Sequence, residues 1–300
     1  MLKNFFQLNE PNTEITSQED FEGQLAISKH LTNILYRPDV FKSNFENTKL
    51  KILNTSFTNV SFTKTELSKV YFDKCNFKDC LFIGTNIIDC EFHNCTFQNV
   101  NTHKIKINNT YINPSCFEKN LNDFNKANIC THLFQQLLNN SKDYEQSKFA
   151  RNAQYNFEKW KTRNIYKQCF LDNEPKVSFW KFLRDYPINW IFKWTFGFGL
   201  RLRNFIITFS ILFSFFFYQN SNNWSSYKFV NKSRKIEGFS IDSTNFTSNL
   251  YYTLEATTKL VDSQLQPTSS IGMNWLLVQS ILGFVLLSAL VTIIINRFVK

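Results

Sequence analysis

Between Ile52 and Ile112 an apolar residue returns at every fifth position: Ile52, Phe57, Phe62, Leu67, Phe72, Phe77, Phe82, Ile87, Phe92, Phe97, Ile107 and Ile112, with Thr102 as the one break. A second register, two residues earlier, holds small or β-branched side chains: Thr55, Val60, Thr65, Val70, Cys75, Cys80, Thr85, Cys90, Cys95, Val100, Ile105 and Thr110. The positions between are mostly polar. A helix repeats every 3.6 residues and a strand every 2, so neither keeps a five-residue stripe on one side. The pattern predicts a solenoid, in which each unit buries its apolar residue only by stacking on its neighbours.

The two registers, with Asn76, Asn86 and Asn101 just before the central position, resemble the pentapeptide-repeat family. Its consensus is a small residue, Asn or Asp, Leu or Phe, then two variable residues. The resemblance implies a right-handed quadrilateral β-helix of about twenty residues per coil. It runs from Val40 to Ile112, which predicts three to four coils and a rod of about 15–20 Å at a strand spacing of ~4.8 Å. Residues 1–39 are then an N-terminal cap or extension, and 40–113 the solenoid.

Beyond residue 178 the pattern changes. The overall 43% hydrophobic content and mean hydropathy of −0.28 average two unlike halves, and five of the six tryptophans lie in the second. Trp275–Ile295 is 21 residues without a charge, enough to span a bilayer core of about 30 Å. Phe205–Tyr218 has only fourteen and becomes a span if Arg201 and Arg203 snorkel at one end and Tyr218 sits at the other interface. In residues 179–203, Trp180, Trp190 and Trp194 alternate with Lys181, Arg184 and Lys193. That mixture predicts a helix lying among lipid headgroups. Basic residues before the first span and after the second place both termini in the cytoplasm. Much of the net charge of +10 then reads as attraction to a membrane.

Residues 114–178 form the link. Phe117, Leu121, Phe124, Ile129, Leu133, Leu137 and Leu138 follow helical spacing, and Asn139-Asn140-Ser141 predicts a turn. Ser141 is then the N-cap of a second helix over Tyr144–Lys161, and the hairpin caps the solenoid end. Leu133–Lys161 also resembles the helical connector of bacterial proteins that join pentapeptide repeats to a membrane domain.

Residues 204–300 resemble the two-span, potassium-channel-type pore domain. Leu250-Tyr251-Tyr252-Thr253 is similar to the opening of its pore helix, Thr258 and Pro267 match without a gap, and Gln279, Leu282, Gly283 and Leu287 follow its inner-helix pattern. The resemblance implies a homotetramer and assigns Gly283 as a gating hinge. It also sets Lys259, Leu260, Val261, Asp262, Ser263 and Gln264 over the six filter residues, where both glycines are missing. A filter needs backbone angles that are cheap only without a Cβ, and a ring of Lys259 repels cations unless Asp262 neutralises it. The expectation is a pore that is weakly selective or anion-leaning, one gated by an absent factor, or a relic that only holds subunits together. Glu255, an acid in a membrane-embedded helix, is either a functional group or the partner of Lys259 four residues on.

Other chemistry is thin. Cys75, Cys80, Cys90 and Cys95 lie in the small register, read as interior packing, and no histidine or cysteine stands at zinc-type spacing. The cysteine usage suits a reducing compartment. No nucleophile elbow, zincin motif or P-loop is present, so no enzyme, metal or cofactor is expected. Lysines and arginines are dispersed, which argues against nucleic acid. Residues 40–113 carry nine Lys against six Asp or Glu, which argues against mimicry of DNA. The chain reads as an ion-channel-like protein of a bacterial inner membrane with a docking or sensing solenoid for an unknown protein partner. A membrane-anchored scaffold and a gated, membrane-depolarising effector, as in phage defence, are the alternatives.

Overall fold

The computed structural model describes residues 5–44, 48–143, 145–173, 176–229, 246–259 and 265–298. The chain forms two compact units, Met1–Asn189 and Trp190–Lys300.

The first unit begins with β1 (Thr13–Ile15), α1 (Gln18–Ile27), β2 (His30–Tyr36) and β3 (Val40–Lys42). Ten short strands follow: β4 (Leu50–Leu53), β5 (Ser56–Ser61), β6 (Glu66–Ser68), β7 (Val70–Asp73), β8 (Asn76–Lys78), β9 (Asn86–Ile88), β10 (Glu91–His93), β11 (Thr96–Gln98), β12 (Lys106–Asn108) and β13 (Tyr111–Ile112). They stack as three parallel ladders, β1-β2-β5-β8-β11, β3-β6-β9-β12 and β4-β7-β10-β13. Single bridges joining Ser61, Leu81 and Asn101 make a fourth column. Phe57 pairs with Phe77 and Phe77 with Phe97, so one turn takes 20 residues. The longest ladder has five strands, a β-solenoid of about five turns. Val40–Ile112 supplies the expected three to four, and β1 and β2 lengthen the stack. They escape the periodic reading because Leu31 pairs with Phe57 and Phe41 with Leu67, an interval of 26 residues. Six extra residues between Lys42 and Leu50 break the count.

Both apolar registers are buried along their whole length, Thr102 included. Phe57, Phe77 and Phe97 stack face to face with centroids 4.9 and 4.8 Å apart, and Phe117 continues the column at 4.2 Å. A third register, missed in the sequence, makes the corners. Asn54, Asn59, Lys64, Lys69, Lys74, Asp79, Gly84, Asp89, Asn94, Asn99, Lys104 and Asn109 all have positive φ. Asn, Asp and Gly, which enter the left-handed region most cheaply, fill eight of these twelve corners. The small register also links turns. Thr85 donates its hydroxyl to Phe62 O at 2.6 Å, and Cys80 and Cys90 donate their thiols to Phe57 O at 3.4 Å and Leu67 O at 3.3 Å. The four register cysteines are free and buried. Burial pushes the Cys80 thiol up to about 12 and the Cys90 thiol up to about 11.

Both ends of the stack are closed. Ser17 caps α1 by accepting from Asp20 N. The buried Phe21 of α1 meets Tyr36, Phe41 and Phe62 at 5.1, 5.4 and 5.8 Å. At the other end come two 3₁₀ turns (Pro114–Phe117 and Phe124–Lys126), α2 (Ala127–Asp143) and α3 (Ser147–Phe170). Phe117, Leu121 and Phe124 are therefore not on an α-helix as their spacing suggested: Phe117 and Phe124 sit in the 3₁₀ turns, and Phe117 is the next rung of the phenylalanine column. Nor is Ser141 an N-cap, since it sits in the last turn of α2 and donates to Leu137 O at 2.7 Å. Tyr144 lies outside the described residues. Asn140 is also helical and is turned inward. Its amide accepts from Thr110 N at 2.9 Å and donates to Thr110 O at 2.7 Å. Asn120 does the same for Val100, at 2.7 and 3.0 Å. Two side-chain amides thus stand in for the missing next strand on an open edge.

The helix α4 (Phe179–Phe196) starts in the first unit and ends in the second. The second unit continues with α5 (Leu202–Asn222), β14 (Tyr227–Phe229), α6 (Phe246–Thr258), β15 (Leu265–Pro267) and α7 (Ser270–Phe298). β14 and β15 pair antiparallel. By length and composition α5 and α7 are apolar enough to cross a membrane, with mean hydropathies of 1.3 and 2.5. Polar residues at its ends lengthen the fourteen-residue run to the 21 residues of α5, about 31 Å of helix. Most of the apolar surface of both helices is open within the chain, as at Ile206, Ile211, Phe284 and Val291, unlike the core helices of a soluble protein.

Candidate functional site

The site is the short helix α6, seated between α5 and α7. Its thirteen residues reach about 20 Å, too short to cross a bilayer. One face of α6 is buried through Ser248, Asn249, Tyr252, Thr253, Ala256 and Thr257, while Leu250, Tyr251 and Leu254 are exposed. The seat is polar. Asn220 of α5 donates to Thr253 Oγ1 at 3.0 Å and to Gln279 Oε1 of α7 at 3.2 Å. Gln279 in turn donates to Thr253 O at 3.1 Å and Thr257 Oγ1 at 2.8 Å. Three helices therefore share one buried amide–hydroxyl network, and side-chain hydrogen bonds of this kind hold helices together where lipid offers no alternative partner.

Gly283 completes the seat. A Cβ there would fall 1.7 Å from Thr257 O, so the last turn of α6 rests directly on the α7 backbone. The helix α7 runs unbroken through this position; here the glycine makes room for α6. A cavity of about 210 Å³ opens beside it, lined by Phe205, Phe209, Thr257, Thr258, Leu286 and Leu290 among others.

Of the pore-helix residues, Tyr252 is buried against Tyr227 at 4.7 Å and Trp224 at 6.0 Å, and Tyr251 points outward. Thr258 donates to Leu254 O at 2.7 Å. Lys259 ends α6 in a left-handed conformation, φ 55°, where glycine or asparagine is usual. Its ammonium lies 3.8 Å from Glu255, the pairing the sequence suggested. The remaining filter-equivalent residues, Leu260, Val261, Asp262, Ser263 and Gln264, lie outside the described residues. Sequence reasoning named Gln279 and Thr253 for their places in a pattern but missed Asn220 and Thr257. The available signal was an amide at the polar end of one apolar helix, another inside the charge-free run of the other, and threonines one turn apart.

Upstream, the chain turns from α4 into α5 through Gly197, Phe198 and Gly199, all left-handed. Asn204 of α5 donates to Lys193 O and Trp194 O at 3.2 and 3.3 Å, and Thr208 donates to Thr195 O at 2.9 Å. These bonds satisfy carbonyls that the end of α4 leaves open. Trp180, Trp190, Ile191 and Trp194 are exposed along α4. Among the described residues no group of His, Cys, Asp or Glu could hold a metal ion.

Residues 42–79 and 75–110 match the family of pentapeptide repeats, in eight copies. This part of the chain is a pentapeptide-repeat β-solenoid, and the match stops short of the connector and of the second unit. No curated protein and no solved structure matches the chain.

Proposed function

We propose that the chain is a two-span, ion-channel-like protein of a bacterial inner membrane, carrying its solenoid as a cytoplasmic docking surface. The carrying observation is the polar seat that locks α6 between the two apolar helices. Span, short helix, span is the layout of a pore loop. A helix ending inside a bilayer needs water or protein around its open carbonyls, and the Glu255–Lys259 pair needs the same. Further copies of the chain supply that enclosure, a homotetramer by resemblance. In this reading the solenoid is right-handed and four-sided, both termini are cytoplasmic and α4 lies at the lipid surface. No catalysis, cofactor or nucleic acid enters it.

The pore we propose is weakly selective or anion-leaning, because Lys259 stands at its mouth and residues 259–264 contain no glycine. The same residues favour a second reading, a membrane-anchored scaffold without conduction. Currents across planar bilayers in asymmetric potassium chloride separate the two. Wild-type current whose reversal potential moves toward cation selectivity in Lys259→Glu supports the channel. Potassium selectivity in the wild type rules out the anion-leaning pore, and silence from folded, oligomeric protein supports the scaffold.

A further inference from the structure

One face of the solenoid is already occupied, by the chain's own N-terminal segment. The residue before each central apolar position points outward. On the three laddered faces none of these residues is buried. On the fourth, Ser61, Leu81 and Asn101 are 1%, 4% and 0% exposed. Residues 5–9 bond to this side of the solenoid at two points. Asn9 donates its N–H to Asn59 Oδ1 at 2.9 Å and accepts from Asn59 Nδ2 at 2.9 Å. Two turns on, Asn101 donates to Phe5 O at 2.8 Å. The segment turns and bends at residues 5–7, where it meets Asn101, and runs on without regular structure through residue 8 to Asn9 beside Asn59.

The contacts at both ends use the segment's main chain. The asparagine amides on the solenoid read an N–H and two carbonyls, which any polypeptide main chain presents. At the Phe5 end side chains add selectivity. Phe5 packs against the solenoid core with the Lys126 ammonium 3.8 Å above its ring, and Phe6 meets His103 edge-on at 5.8 Å.

We infer that this fourth face is a binding groove for a peptide segment that turns at two adjacent aromatic residues. The N-terminal segment holds the groove in the resting chain, and a partner protein with such a segment displaces it. A ligand tethered next to its site acts at an effective concentration on the order of millimolar, so the segment also sets a threshold that only a tighter partner passes.

The test compares the full chain with one lacking residues 1–9, using a fluorescent synthetic peptide of residues 2–12 as the probe. Expected is saturable binding to the shortened chain, weakened at least about tenfold by tethered competition in the full chain. Asn59→Ala with Asn101→Ala in the shortened chain should weaken binding by a similar factor. Three results would overturn the inference. One is no saturable binding to a shortened chain that keeps its β signal and thermal unfolding. Another is binding unchanged by the two asparagine substitutions. The third is a shortened chain that no longer folds, which makes the segment part of the fold and not a removable occupant.

Discussion

Gly283 shows how little space the seat of α6 leaves. With Thr257 O 1.7 Å from where a Cβ would stand, Gly283→Ala must push α6 off α7. The expected outcome is lower thermal stability in detergent and loss of the oligomer proposed above, read by scanning fluorimetry and size exclusion. A hinge role would instead leave assembly intact and change only gating. At the corners of the solenoid the same backbone argument runs the other way. Lys74 sits at φ 54°, where a non-glycine side chain costs about 1–2 kcal/mol and asparagine less. Lys74→Asn should raise stability by up to about 1 kcal/mol, while Gly84→Val, at φ 65°, should lower it by more; denaturant melts check both. On the outer face, Glu91 is held below the usual glutamate range by Lys49, 2.7 Å away, and by His93, 2.8 Å away. A depressed carboxylate adds stability above its unfolded pKa and loses it as pH falls through the folded one. Glu91→Gln should therefore flatten the acid limb of the stability profile below the ordinary glutamate pKa, and an equally steep limb would rule the pairing out as a contributor.

At the scale of elements, the open end of a parallel stack is the weak point, because an unpaired edge invites pairing with another chain. Asn120 and Asn140 answer it with one amide each. Asn140→Ala would strand the N–H and C=O of Thr110, both buried, and unpaired buried groups cost about 1–3 kcal/mol each. The expected loss is about 2–4 kcal/mol with a tendency to self-associate, measurable by urea melts and light scattering. Asn139→Ala, one residue earlier on the same helix, should be nearly neutral; equal effects would refute the capping role. This device could not be read from the sequence. Asn139-Asn140-Ser141 carries the composition of a turn, yet α2 runs through it because Asn140 is bonded to the last coil and Ser141 bonds back within its own helix. Local preference predicted a break, and tertiary hydrogen bonds overrode it.

At the scale of the whole molecule, the chain is a union of two burial problems solved differently. The solenoid buries its phenylalanines among themselves. The second unit leaves most of its apolar surface open and buries polar groups, which is the order expected in lipid. Gln279→Leu should therefore loosen α6 without disturbing the solenoid. Expected is faster hydrogen exchange over 246–258 in nanodiscs with unchanged exchange over 50–112; protection that stays equal in α6 would show that the network does not hold it.

The repeat was legible in the sequence to the residue, because a solenoid turns each strand by a constant count and a five-residue period maps directly onto its core. The two apolar helices were legible for a similar reason, since crossing a bilayer is a matter of length and composition alone. What the sequence could not determine depends on residues far apart in number. The first turn is offset by six inserted residues, the asparagine amides cap an edge twenty and thirty positions away, and Asn220 meets Gln279 across 59 residues. Those contacts have no local period to announce them. They exist only because the stacked turns and the packed helices bring their backbones to within a hydrogen bond's reach.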